Sequence, residues 1–578
     1  MTEWADNEAV QFAEVIVFSP AQASVSGKVA RAFTYQLPDE LRDCLKIGSL
    51  VVVPFGRQRI YGVIVAFSDR SPVAETRPIE ALADPDPVLT LPHLELAHWM
   101  SREYLALLHE CLEIMLPPGM IGHVDVLVSL AAEASAGHAN TEAQSALLEL
   151  LWRRGSLRGA QLDQALPRKE WRSASEQLAR RNIVTRESFL AAPRAHPKQV
   201  RTVYLIPDTD EKTALSGLTS KFYPPILELL RAEEGPMGVS QVYDATGCNT
   251  YHLNKLAERN LIAFGAQEVW RDPLADHVFV PTTPPPLTPD QAAVWEEIKA
   301  GMGNGRNESG KDGEDAPLVH LLHGVTGSGK TEIYLRAVAE ALAQGQQALI
   351  LVPEISLTPQ TVTRFAARFP DRVAVLHSAL TEGERYDTWR RARAGLVDVV
   401  IGPRSALFAP LSPLGLIVLD EEHDASYKQE APRPRYHARE AALELARQTD
   451  ATVILGSATP SLESYRRAQR GEFNLLKMPR RIMGHTRRLQ DLQSHYRIPH
   501  IRYRAVQDDP GEASYIPLPP VQIVDLRAEL RAGNRSILSR ALQRGISEVL
   551  SRGEQVILFL NRRGSATFVI CRDCGHVI

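Results

Sequence analysis

Cysteine is scarce in this chain. There are five in 578 residues: Cys44, Cys111, Cys248, Cys571 and Cys574. So low a count excludes a disulfide-built framework and points to a reducing compartment, the cytoplasm. Cys44, Cys111 and Cys248 stand far apart in sequence and read as small hydrophobes rather than ligands. Long apolar runs are also lacking: none approaches the roughly 18 residues of a membrane-crossing helix, so no membrane span is expected. The opening Met1-Thr-Glu-Trp-Ala-Asp-Asn-Glu8 has neither the basic start nor the apolar core of a secretory signal. Positive charge is not in surplus, because the net charge is −4. Any nucleic-acid binding must therefore come from local basic patches. The rest is ordinary globular composition, 44% hydrophobic and 23% charged, over a length that suits roughly three to five domains.

The chain is organised around Gly324-Val325-Thr326-Gly327-Ser328-Gly329-Lys330-Thr331. An apolar run, Leu318–Leu322, precedes it, and a helical pattern from Glu332 follows. Strand, glycine loop, Gly-Lys-Thr and helix form a phosphate site. Backbone N–H groups close around phosphates, and the new helix aims its positive end at them. Lys330 reaches the phosphates as a point charge, and the Thr331 hydroxyl suits Mg²⁺.

Residues 12–85 alternate as short strands: Ala13–Phe18, Ala32–Pro38, Ser49–Gly56 and Tyr61–Phe67. They predict a small β-rich domain. From Leu91 the pattern turns helical and ends at Leu116-Pro-Pro-Gly119. Between 141 and 270 an internal repeat appears. Glu149-Leu-Leu recurs as Glu228-Leu-Leu, and Leu178-Ala-Arg-Arg-Asn-Ile183 as Leu256-Ala-Glu-Arg-Asn-Leu261, at a nearly constant offset. Each copy reads helix, short helix, helix and strand, a winged-helix pattern. Such units bind DNA or serve as protein-contact spacers. Pro281–Pro286 is a stiff linker, and 301–315 reads as a flexible loop rich in Gly, Asn and charge.

After the phosphate loop, near-continuous Val/Ile/Leu runs alternate with helices, which predicts a parallel sheet covered on both faces. One run, Leu416–Leu419, delivers Asp420-Glu421-Glu422-His423. In this context Asp420 is the candidate Mg²⁺ ligand and Glu421 the base for the attacking water. Another run ends in Gly456-Ser457-Ala458-Thr459. His423, Ser457 and Thr459 are the candidates for coupling nucleotide state to strand movement.

Taken together, Leu287-Thr-Pro-Asp-Gln291, Val352-Pro-Glu-Ile-Ser-Leu-Thr-Pro-Gln360, Gly402-Pro-Arg404-Ser-Ala-Leu-Phe408, the acidic box, Gly456–Pro460 and Gln555–Gly564 resemble a superfamily 2 helicase set. The wordings Val-Pro-Glu-Ile-Ser-Leu-Thr-Pro-Gln, Leu560-Asn-Arg-Arg-Gly564 and Cys571-Arg-Asp-Cys574-Gly resemble the PriA (primosomal protein N′) family of replication restart helicases. The resemblance covers essentially the whole chain. It implies a multidomain protein: a β-rich 3′-end DNA-binding domain (1–120), a winged-helix region (121–275), an α/β RecA-like helicase lobe 1 that binds ATP (276–478), a basic insertion (479–520) and the start of lobe 2 (521–578). It further implies ATP, Mg²⁺ and Zn²⁺ as cofactors, and a 3′→5′ helicase acting on forked and single-stranded DNA at the nucleoid. Single-stranded DNA-binding protein, primosome proteins and the loader of the replicative helicase would be its partners. Carried over by residue, Gln291 would read adenine. Phe33, Tyr35, Arg404, Tyr427 and Lys428 would touch DNA, with Tyr427 stacking on bases.

Three departures stand out. Phe33-Thr34-Tyr35 has threonine where the family usually has aspartate. The stretch from Arg480 to about Pro519 is longer than the family pattern and mixes arginines (Arg480, Arg481, Arg487, Arg488, Arg497, Arg502, Arg504) with Tyr496 and Tyr503. It reads equally as an auxiliary DNA contact or a solvated insertion. Cys571 and Cys574 supply two zinc ligands, where a structural site needs four. The family's other cysteines and the remainder of lobe 2, with its phosphate-reaching arginine, are not found. The expectation is a fragment of a longer protein, with a short form acting as a fork-binding scaffold as the alternative.

Overall fold

The computed structural model describes residues 11–18, 32–56, 58–122, 124–131, 139–167, 170–191, 193–207, 220–233, 235–275, 277–302, 317–485, 513–516 and 520–559. The chain divides into two units, Met1–Tyr515 and Ile516–Ile578.

The first unit opens with an antiparallel five-stranded sheet in which Phe12–Val17 lies between Phe33–Gln36 and Gln58–Ser68, with Leu50–Phe55 and Ala81–Leu82 beyond. Alternation along Phe12–Val17 divides its side chains between two cores. Val15 and Val17 join Val51, Val53 and Ile60. Ile16 joins a larger cluster that runs through Leu96 and Met100 of helix Leu91–Glu103 into Leu349, Trp389 and Leu445. The β domain and the later α/β domain thus share one core.

Two copies of a single topology follow. In the first, strand Val124–Leu130 precedes helix Glu142–Arg154, the short strand Leu157–Arg158, helices Gly159–Ala165 and Trp171–Arg180, and strand Val184–Leu190. In the second, Lys198–Leu205, Tyr223–Ala232, Met237–Gly238, Val239–Thr246, Thr250–Glu258 and Ile262–Val269 repeat that order. The repeated Arg-Asn ends both third helices in the same way. Asn182 and Asn260 take φ 57° and 54°, a left-handed turn that asparagine tolerates. The Ile183 and Leu261 N–H groups reach back to Leu178 and Leu256 carbonyls at 3.0 Å. In each copy the exit strand pairs with the strand before the first helix, whose other edge takes the short strand, so the three form one small sheet.

The α/β domain is the expected parallel sheet. Its seven strands lie in the order Val373–Val375, Val399–Gly402, Gln347–Leu351, Leu414–Asp420, Thr452–Ser457, Val319–Gly324, Asn474–Met478. Helices cover both faces, so the central strands are buried along nearly their whole length. The phosphate-loop strand and the acidic-box strand flank Thr452–Ser457.

In the second unit, residues near 521–525 and 555–559 form no paired strand among the described residues, and Val521, Ile523, Ile557 and Phe559 are exposed. A parallel strand needs neighbours to satisfy its backbone, and none lies beside these segments among the described residues of this unit. Among its described residues, helices Leu526–Arg531 and Arg540–Ser551 are regular elements, and neither contains a buried residue.

Candidate nucleotide site and its links

The sequence places three pieces of chemistry at three adjacent strand ends. Val319–Gly324 turns into the glycine loop and then into helix Lys330–Ala343. Gly327 and Gly329 have φ of +80° and +85°, a conformation that glycine adopts without strain. A Cβ on Gly329 would also collide with the Gln291 amide. The Lys330 ammonium donates to the Gly324 carbonyl at 2.9 Å and lies 3.9 Å from Glu421 Oε1. Thr331 is half-buried in the first turn of the helix. Ser328 Oγ is buried without a hydrogen-bond partner. An orphaned hydroxyl in a glycine loop at a helix N-terminus fits a phosphate oxygen.

Asp420 ends its strand with Oδ1 accepting from the Tyr334 hydroxyl at 2.9 Å. Burial, with Glu421 adding, pushes the Asp420 carboxyl above its ordinary range, while Tyr334 and Lys330 pull the other way. A divalent cation bound there would favour the charged form. Hard oxygen donors from Asp420 and Thr331 are the donor set Mg²⁺ takes. Gly456 is glycine because a Cβ there would strike the Tyr334 ring that reaches Asp420. Glu421 holds a left-handed φ of 47°, a strained backbone for a non-glycine residue at a candidate site.

The structure brings the coupling candidates together. His423 Nδ1 lies 2.8 Å from Ser457 Oγ, and His423 Nε2 lies 3.3 Å from Thr459 Oγ1. Ser457 Oγ also accepts from the Thr459 N–H at 3.0 Å. The acidic box and the Ser-Ala-Thr turn are therefore one hydrogen-bonded group.

Known proteins match this arrangement. A 3′DNA-binding domain (3′BD) model matches residues 14–117, and a DEAD/DEAH box helicase model matches residues 288–468. Replication restart protein PriA of Bacillus subtilis (strain 168) is 36% identical over 576 residues, covering 98% of this chain and 64% of its own length. Over nearly its whole length the chain is similar to this PriA protein, and its N-terminal part matches the 3′BD model. The Synechocystis PriA is 36% identical over 561 residues, with 94% and 61% covered. The Haemophilus influenzae PriA is 31% identical over 553 residues, with 95% and 59% covered. The chain thus spans less than two thirds of the length of these PriA relatives. Among solved structures, RecG bound to a three-way DNA junction aligns over 37% of this chain and 28% of its own at 23% identity. Its TM-score is 0.26, too low to carry an argument.

Several PriA-type residue assignments need correction. Tyr427 is 1% exposed, and its hydroxyl donates to the Leu351 and Asp420 carbonyls at 3.0 and 2.7 Å. It ties two strand ends together and has no face to offer a base. Tyr35 is likewise buried, with its hydroxyl on the Pro54 carbonyl at 3.1 Å. Phe33 remains half-exposed at the sheet edge, edge-on to Phe55 at 5.1 Å. Arg404 braces the loop behind the acidic box through the Ser426 and Lys428 carbonyls at 2.9 and 3.2 Å. Lys428 is exposed, on the Arg435 carbonyl. The Gln291 amide is occupied at both ends, accepting from Thr288 N–H at 3.0 Å and donating to the Ser328 carbonyl at 3.3 Å. As it stands it clamps the phosphate loop, and adenine would have to displace one of those bonds.

The basic stretch also divides. Arg480 forms a two-pronged pair with Asp290 at 2.7 and 2.8 Å, which removes it from the DNA-contact candidates. Arg481 packs over Gly327, and Ile482 N–H binds the Gly327 carbonyl at 2.9 Å. Arg487, Arg488, Tyr496, Arg497, Arg502, Tyr503 and Arg504 lie outside the described residues, as do Cys571 and Cys574 and nearly all of the loop expected at 301–315. Among the described residues no cluster of three or more His, Cys, Asp or Glu could hold a metal, and no helix is long and apolar enough to cross a membrane.

Sequence reasoning missed two contributors. Tyr334 lies four residues after Lys330 on one helix, so helical spacing alone places both on the site's face. Glu422 is fully buried. It accepts from Arg439 at 2.9 Å, from Ser461 N–H at 2.7 Å and from Ser464 Oγ at 2.9 Å. Nothing local to the acidic box distinguishes it from Glu421.

Proposed function

We propose that this chain is the ATP-binding and DNA-gripping part of a DNA-dependent ATPase and 3′→5′ helicase that restarts replication at abandoned forks. The observation that carries the reading is the convergence of Lys330, Asp420 and Glu421 beside the His423–Ser457–Thr459 group. Lys330 would leave the Gly324 carbonyl for the phosphates, drawn by a stronger charge-assisted contact. Glu421 would orient and deprotonate the attacking water. Bound Mg²⁺ would neutralise phosphate charge, with Thr331 and Asp420 as its holders. A change at Glu421 would reach His423 directly, and through it the Ser457–Thr459 turn.

DNA contact is proposed at two places. One is the N-terminal sheet edge, around Phe33. The other is a cavity of about 470 Å³ between the Leu116–Gly119 turn and the strand-end loops, lined by His377, Arg385, Arg404 and Phe408. Cations and an aromatic ring in one cleft suit a single strand. The proposed domains keep the expected bounds: a 3′-end-binding β domain to 120, the duplicated winged-helix-like region to 275, lobe 1 to 478, the basic insertion to 520, and lobe 2 and a zinc module beginning from 521. Exposing a loading site for the replicative helicase, with primosome proteins as partners and zinc on Cys571 and Cys574, belongs to the same proposal.

The test is ATP turnover with and without forked DNA, wild type against Lys330→Ala. DNA-stimulated turnover should fall by about 100-fold or more in the variant. Fork binding with no Lys330-dependent turnover would instead favour a scaffold.

A further inference from the structure

One helix of the α/β domain, Glu382–Arg393, receives contacts from the N-terminal domain and from the end of the second three-helix copy. Its centre is Asp387, a carboxylate with no exposed surface. Arg271, just past the second three-helix copy, brings its backbone N–H to Asp387 Oδ2 at 3.0 Å and its Nε to the same oxygen at 2.6 Å. The Arg271 guanidinium also donates to the His196 carbonyl, in the connection between the two copies. Around this pair, Arg390 meets Glu268 and lies over the Trp270 ring, and Arg391 meets Asp272 at 2.6 Å. Arg393 reaches Asp84 of the N-terminal domain at 3.0 Å.

Two glycines make room for this junction. A Cβ on Gly383 would fall inside the Arg271 guanidinium. Gly119, at φ +81°, accepts from Arg194 and Ala195 N–H at 2.9 and 3.0 Å and lies against Glu382. The helix begins directly after the loop 377–381, whose His377 and Ser378 line the cavity beside Arg404. In the other direction, Arg271 stands at the root of the linker that leads to Gln291 and the phosphate loop.

We infer that Arg271 and Asp387 are positioning residues, a buried latch through which nucleic acid held by the accessory domains is felt at the 377–381 loop. Removing one partner of a buried pair strands the other charge, so the latch is either closed or costly to open. The closed arrangement is the one in the structure, and coupling between sites requires a second, open one. The inference rests on the proposed function only in taking the accessory domains to hold DNA.

The experiment is hydrogen exchange on the full chain, with and without a forked duplex carrying a single-stranded tail. Wild type, Asp387→Ala and Gly383→Ala are compared, with fork affinity measured by anisotropy. In the wild type, DNA slows exchange at 377–381. In Asp387→Ala the Arg271 amide exchanges about 100-fold faster, and in both variants the 377–381 response disappears while fork affinity persists. Gly383→Ala keeps the carboxylate and removes only the seat of the guanidinium, so it decides the matter should Asp387→Ala misfold. A DNA response at 377–381 that persists with the latch open, or that is absent from the wild type, overturns the inference. Lys330-dependent turnover is read separately, and its loss alone leaves the latch standing.

Discussion

Glu421 and Glu422 are neighbours of one residue type with opposite tasks, and substitution separates them. Glu422 is fully buried, and Arg439, Ser461 and Ser464 all point donors at it. Ser461 N–H lies at the start of helix Leu462–Gln469, whose positive end also favours the carboxylate. Glu422→Ala leaves the Arg439 guanidinium, 9% exposed, without its buried partner. Breaking a buried pair on one side costs about 3–5 kcal/mol. The lower end applies, because Arg439 keeps Glu440 at 2.8 Å. For a domain of this size about 3 kcal/mol lowers the melting temperature by roughly 10 °C. Glu421→Gln removes no buried pair and should leave melting unchanged while abolishing ATP turnover. The assay is thermal unfolding followed in the α/β domain, paired with ATPase measurement. A Glu422→Ala protein that melts within about 2 °C of wild type, or a Glu421→Gln protein that melts as low as Glu422→Ala, refutes the reasoning.

Acid should weaken the same domain through His320, which is 1% exposed on the strand before the phosphate loop, with neither ring nitrogen partnered. Burial lowers its pKa from 6.5 to about 4. The unfolded chain therefore binds the extra proton between those values, and stability is complete above pH 6.5 and declines toward pH 4. The loss is about 3 kcal/mol, and His320→Leu should flatten that limb in unfolding measured against pH. Tyr427→Phe should destabilise the domain by about 1–3 kcal/mol and leave fork affinity unchanged. A fall in affinity without destabilisation would restore the stacking role. Arg481→Ala should weaken binding of a fluorescent ATP analogue by about tenfold, because the side chain lies over Gly327, and unchanged binding would place that arginine elsewhere in function.

Much of the site could be read from the chain because its chemistry is local. The phosphate loop is one contiguous segment, and its glycine spacing carries its backbone conformation. The parallel sheet was legible because strands buried on both faces must be apolar throughout. The internal repeat was legible to the residue, down to the matched Asn182 and Asn260 turns. Assignments failed where a residue's role depends on what lies opposite it. Tyr427 and Tyr35 look like nucleic-acid contacts as letters, yet each hydroxyl ends on a buried carbonyl. Arg480 looked like part of a basic patch until Asp290, far away in sequence, claimed it.

By itself, the sequence determined that a phosphate loop opens a helix, that acidic and Ser-Ala-Thr turns end two parallel strands, and that a helical unit is duplicated. Each of these follows from spacing within one segment, where backbone geometry and burial period act over a few residues. Tertiary structure alone decided which of two adjacent glutamates is buried, which tyrosines are core, and that Asp387 ties Arg271, beyond the second helical copy, to the α/β domain. Those outcomes depend on desolvation and on partners brought from more than a hundred residues away, as Arg271 and Asp387 are, and no local pattern records them.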